Sequence, residues 1–287
     1  SHEPLQAAGP VFYFSILKTI LMDGFRNILW VVLLPLFFFG ASGQQVAKNY
    51  EVSHGAIIRG DHTLKNIALV FTGDEFGDGG ESIAHSLKQQ NIRASFFLTG
   101  NFYRNPQFKS TLQELEQQGN YLGSHSDKHL LYCDWTHRDS LLVTRQQFDL
   151  DITHAYAEMK NWKITKQKAR YFLPPYEWYN DSIARWTREA GLQLVCFTPG
   201  PRSNTDYTYP EMNGRYLTSD SILQSILNFE KESPDGLNGF ILLLHIGTDP
   251  RRTDKTYARL PGLISELKSR GYRFVTINKL LSEKPVK

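Results

Sequence analysis

A chain of 287 residues is long enough for one large domain or two small ones, and its 41% hydrophobic and 21% charged residues are the balance of an ordinary globular protein rather than a disordered one. A formal net charge of +3 without basic runs gives no reason to expect a nucleic-acid partner. The two cysteines, Cys133 and Cys196, cannot make a disulfide framework, so buried thiols are expected, with a single bridge as the alternative.

The first segment differs from the rest. Residues 28–40 are almost wholly apolar but fall short of the about 20 residues that span a bilayer. Arg26 precedes the stretch and small residues follow it, which is the layout of a secretory signal peptide cleaved between 41 and 45. Export is expected, to a periplasmic, cell-surface or extracellular location. A membrane anchor is the alternative, since residues 11–22 could lengthen the apolar region, although Lys18, Asp23 and Arg26 interrupt it. Residues 1–45 are therefore set apart from a folded domain over 46–287.

From Asn66 the chain alternates. Strands are predicted at 67–72, 94–100, 121–126, 169–175, 192–198, 239–247 and 273–280, and helices at 81–90, 107–119, 140–164, 181–191, 219–232 and 259–271. Gly119, Gly191 and Gly271 stand where helices end, a position that favours positive φ. Alternation of this kind argues for βα units around a parallel sheet, and all-apolar strands such as 240–244 must be covered on both faces. Seven strands with outer helices suggest a distorted (β/α) barrel, with an open doubly wound sheet as the alternative. No glycine-rich nucleotide fingerprint follows the first strand.

In parallel βα folds, functional groups gather past the C-terminal ends of strands. Asp74 and Glu75 follow the first strand, and His125 and His129 the third. Pro174, Pro175, Tyr176 and Glu177 follow the fourth, Asp206 and Tyr207 the fifth, and His245 ends the sixth. Histidines four apart, as in His125-Ser126-Asp127-Lys128-His129, can share one face of a helical turn and bind a borderline-soft divalent ion.

These segments resemble the polysaccharide deacetylase family, the NodB-homology enzymes of carbohydrate esterase family 4, over roughly residues 55–281. The family's His-Ser/Thr-x-x-His motif is matched by 125–129, its Leu-His element by Leu244-His245, its Thr-Phe-Asp-Asp-Gly motif by the 67–80 region, and its Arg-Pro-Pro-Tyr motif by 173–176. The resemblance implies a distorted seven-stranded barrel, a divalent metal, most often zinc, and removal of N- or O-acetyl groups from an acetylated polysaccharide or oligosaccharide. No stable protein partner is expected. Two positions depart from the pattern: Thr72 and Gly73 stand where the family has its base and ligand aspartates, and Leu173 where it has an arginine that holds the base. The chain is then either an enzyme with a relocated base or a NodB-like binding protein that has lost catalysis.

Asp74, His125 and His129 are the candidate metal ligands, a His₂Asp set with open positions. Glu75, beside Asp74, is the first candidate base, with Asp78 and Glu177 in reserve. His245 suits a general acid titrating near neutrality. The resemblance adds Asp206 as the residue that orients His245 and the Tyr176 N–H as an oxyanion donor. Trp135, Trp178, Tyr179, Tyr207 and Tyr209 are aromatic residues on which a sugar ring could lie. No G-x-S-x-G, H-E-x-x-H or P-loop motif is present.

Overall fold

Strand formation begins where the sequence is most continuously apolar. In the computed structural model, which describes residues 50–282, β3 (Asn66–Gly73) is buried over all but its first residue. β8 (Phe240–His245) lies parallel on one side of it, from Ile67 opposite Phe240 to Thr72 opposite His245. β4 (Ser95–Leu98) lies parallel on the other side, followed by β5 (Tyr121–Ser124), β6 (Tyr171–Phe172) and β7 (Gln193–Leu194). β9 (Arg273–Phe274) pairs with the start of β3. These are the seven parallel strands the sequence predicts.

Two short strands were not predicted. β1 (Glu51–Ser53) and β2 (Ala56–Arg59) form a hairpin turned through His54 and Gly55 at positive φ, and β2 lies antiparallel to β8. This hairpin completes the curl of the sheet. Ile57 bridges Val195 just past β7, Cys196 N–H donates to Ile57 O at 3.0 Å, and Thr198 N–H donates to Ile241 O at 3.0 Å. The strands therefore close on themselves as a distorted (β/α) barrel, not as an open doubly wound sheet.

The six expected helices are α1 (Gly80–Gln89), α3 (Lys109–Gln117), α4 (Arg145–Asn161), α5 (Asp181–Glu189), α6 (Ser219–Glu232) and α7 (Leu260–Ser269). α4 is shorter than the predicted 140–164 because Thr144 and Gln147 form a capping box that starts it. Gly119, Gly191 and Gly271 follow helix ends at φ 73°, 78° and 88°. Two short helices complete the list, α2 (Gly100–Arg104) and α8 (Ile277–Leu280). The latter corrects the sequence reading: the strand predicted over 273–280 stops at Phe274 and the chain turns into α8.

Both cysteines are buried free thiols. Among the described residues no helix is long and apolar enough to cross a membrane. The signal-peptide reading of residues 28–45 lies outside the described residues.

Candidate active site

The histidine pair is built by a loop, not by the helical turn that its spacing allows. β5 ends at Ser124, and Ser126 and His129 then take φ of 77° and 56°, which folds the chain back on itself. His129 N–H donates to Ser126 Oγ at 2.9 Å. Asp151 of α4 accepts from Asp127 N–H at 3.1 Å, Lys128 N–H at 2.9 Å and the Tyr132 hydroxyl at 2.5 Å. The buried Asp127 carboxylate pairs in turn with Arg104 of α2.

This loop brings His125 Nε2 and His129 Nε2 to 3.2 Å from each other. His125 Nδ1 lies 2.8 Å from Leu173 O, at the end of β6. A carbonyl only accepts, so Nδ1 carries the proton and Nε2 presents its lone pair. Burial, then His129 and His245 nearby, hold the His125 imidazole well below its usual range. At His129 burial also prevails, against the opposing pull of Asp74, and lowers its pKa. Both rings are therefore neutral at neutral pH, as ligands must be.

The loop after β3 is different. A Cβ on Gly73 would lie 2.5 Å from Ile246 Cγ2 and 3.0 Å from Leu98 Cδ2, so no carboxylate fits there without displacing the core. The acids come later. Asp74 Oδ1 accepts from Thr99 Oγ1 at 2.7 Å and Asn101 Nδ2 at 3.3 Å, which fixes it at the end of β4 on the His129 side. Glu75 is exposed and makes no hydrogen bond or ion pair with a described residue. Asp78 is occupied by Thr248 N–H at 2.8 Å, Lys255 Nζ at 2.9 Å and the Tyr257 hydroxyl at 3.0 Å. The first candidate base is thus not gathered to the histidines, and one of its reserves serves to pin a loop.

The acid that does reach the histidines is Glu177. It leaves β6 through Pro174 and Pro175, and its side chain turns inward to 11% exposure, with Oε1 3.8 Å from His125 Nε2. Its carboxyl faces the Thr72 hydroxyl, which is buried without a well-formed hydrogen bond. Burial raises the Glu177 carboxyl to about 7, and the Asp206 charge adds to this against the pull of His245.

His245, at the end of β8, is held by Asp206 twice: Nδ1 lies 2.6 Å from Oδ1, and the backbone N–H donates to Oδ2 at 2.9 Å. Burial alone would lower this imidazole, but the Asp206 charge and hydrogen bond prevail and raise its pKa. The Tyr207 ring stands edge-on to His245, centroids 5.5 Å apart. Tyr176, exposed at φ 58°, lays its ring 4.4 Å from that of His129, and its N–H donates to no described residue. Trp135 extends this shelf at 5.7 Å from Tyr176, and Trp178 lies 5.5 Å from Trp135. Tyr179 is not part of it. Its ring is 4% exposed and its hydroxyl donates to Ser53 O, so its predicted sugar contact is corrected to a role in the core.

A polysaccharide deacetylase family model matches residues 60–195. The chain is 28% identical over 201 residues to a peptidoglycan-N-acetylglucosamine deacetylase of Bacillus cereus, covering 69% of this chain and 79% of that one. It is 27% identical over 227 residues to one from Listeria monocytogenes, covering 77% of this chain but only 40% of that longer protein. Among solved structures, a family 4 carbohydrate-esterase pseudoenzyme from Bacillus anthracis superposes with a TM-score of 0.62 at 20% identity, over 82% of this chain and 72% of that one. A mutant of that pseudoenzyme with restored activity superposes equally well, and the likeness shows a shared fold. These likenesses support a divergent relative of the polysaccharide deacetylase family, and the fold is the NodB-like barrel seen in carbohydrate esterase family 4.

Proposed function

We propose that this chain is a metal-dependent hydrolase that removes acetyl groups from a glycan, with the N-acetylglucosamine of peptidoglycan as the first substrate to try, since that is what its named relatives deacetylate. The observation that carries this is the paired Nε2 atoms of His125 and His129. Two nitrogens each ~2.05 Å from a tetrahedral zinc stand roughly 3.3 Å apart. The observed 3.2 Å fits two nitrogens that share one divalent ion. Among the described residues no third ligand closes the group. Asp74, whose charge acts on His129, is the carboxylate we propose as the third ligand. When bound, the ion supplies Lewis acidity to the acetyl carbonyl and the attacking water.

The remaining roles belong to the chain. Trp135 and Tyr176 offer apolar faces to a sugar ring beside His129, and Trp178, covered by Arg138, backs Trp135. The free N–H of Tyr176 can receive the developing oxyanion. His245, its imidazolium favoured by Asp206, is placed to protonate the leaving nitrogen or oxygen. The apolar stretch at 28–40 supports an exported enzyme, which is where such a polymer lies.

A second reading, a glycan-binding protein without turnover, is favoured by the uncharged residues at Thr72 and Gly73. Acetate release from peptidoglycan, chitin oligomers and acetylated xylan, with zinc supplied, separates the two. Release from any of them supports the hydrolase, and release from none, with glycan still bound, supports the binding protein.

A further inference from the structure

β3 reaches the rim without a proton acceptor, because Thr72 carries a hydroxyl and Gly73 nothing. The other rim carboxylates are committed. Asp74 faces Thr99 and Asn101, Asp78 faces Lys255, Thr248 and Tyr257, Asp206 is bound to His245, and Glu75 points to solvent. Glu177 is turned inward with no lysine or arginine within ion-pair distance among the described residues, and no histidine holds it as His245 holds Asp206. Its neighbours are the groups a hydrolysis needs: His125 at 3.8 Å, the Thr72 hydroxyl, and the charges of His245 and Asp206.

The backbone is unusual at the same place. Tyr176 and Glu177 follow one another at φ 58° and 53°, a left-handed conformation that glycine holds more easily than any residue with a Cβ. A glutamate that served only as a loop acid would point to water. Here the left-handed backbone accompanies a carboxyl turned inward, beside His125 and the Thr72 hydroxyl and within the field of His245.

We propose that Glu177 is the proton acceptor of the reaction, delivered from the end of β6 into the space that β3 leaves without a carboxylate. This rests on the hydrolase reading above. In the step, a water oxygen bonds to the acetyl carbon as Glu177 takes one of its protons. The carbon–nitrogen bond then breaks as the His245 imidazolium gives its proton to the leaving nitrogen. Free amine and acetic acid are the products, and a proton passing from Glu177 to His245 through solvent restores both groups. Leu173 agrees with this, since its buried side chain offers no cation to a base on β3.

The test uses the full chain with Glu177→Gln, Glu177→Gly and the double variant Thr72→Asp/Glu177→Gly, read by acetate release, zinc titration and thermal melting. Glu177→Gln should lower turnover by roughly 10²–10⁴-fold with zinc affinity within about threefold of wild type. Glu177→Gly should melt higher than wild type, because it relieves the backbone and removes a buried carboxyl, yet be as slow as Glu177→Gln. Thr72→Asp in that background should recover at least about tenfold. A Glu177→Gln protein that turns over within about threefold of wild type overturns the assignment and leaves the hydrolase reading intact. A loss of zinc affinity of about 100-fold overturns it in favour of a ligand role. A zinc-bound wild type that releases no acetate overturns both.

Discussion

The loops after β5 and β3 stand on the same rim, but only one is fixed along its length. Residues 125–132 are held by Asp151 at three points, by Ser126 from within, by Leu173 O at His125 and by the Arg104–Asp127 pair. Residues 73–79 are held near their ends, at Asp74 and Asp78, and Glu75 stands free between them. Metal ligands need orientation to within a few tenths of an ångström, and on the proposed reading it is the first loop that would provide it. A proton acceptor needs proximity and the right charge, which can come from a third segment, here the Pro174–Glu177 turn.

The largest expected effect strikes the fixed loop. His129→Ala removes half of the paired nitrogens, and zinc binding followed by calorimetry should weaken by at least about 10²-fold, with acetate release lost. An unchanged affinity would mean that the pair is not a metal cradle. Asp206→Asn comes next. His245 must be protonated to act, so turnover falls as pH rises through its raised pKa. Without the Asp206 charge the imidazolium is lost at lower pH, so the alkaline limb of the pH–rate profile should move down and the maximum fall by about 10²-fold. A limb that stays in place would assign it to another group.

Stability should separate the loops as well. Asp151→Ala leaves one buried and one partly buried N–H group and the buried Tyr132 hydroxyl without an acceptor, and should cost about 2–4 kcal/mol in denaturant unfolding. Asp78→Asn removes a half-exposed pair with Lys255 and should cost only about 1 kcal/mol. Burial would raise the Asp78 pKa, but Lys255, Thr248 and Tyr257 lower it. Its contribution is therefore present above the unfolded carboxylate's pKa of about 3.9 and lost as pH falls through its lower folded value. The smallest effect is expected at Glu75. Glu75→Gln should turn over within about twofold of wild type, and a larger loss would return the base to the β3 loop.

The barrel was legible because its strands are apolar runs separated by periodic helices, and strand ends fix where a rim must be. By that rule His125, His129, His245, Asp206 and Tyr176 fall on one rim. The β1–β2 hairpin was missed because Val52 and Ile57 lie in runs too short to carry a period. Tyr179 was misplaced because a strand end fixes a residue's position but not which way its ring turns. Glu177 was ranked behind Glu75 for the same reason. Adjacency to Asp74 in sequence favoured Glu75, while the inward turn of Glu177 depends on two successive positive φ angles that no composition rule reveals.

The central claim is that the β5 loop holds a preformed metal cradle, and zinc-edge anomalous diffraction from zinc-soaked crystals tests it most directly. A single strong peak should lie between His125 Nε2 and His129 Nε2, at ~2.0–2.1 Å from each, with the loop unmoved and the Asp74 carboxylate as the next protein oxygen. No peak there at millimolar zinc, or a peak that forms only after the two imidazoles separate, would contradict the account.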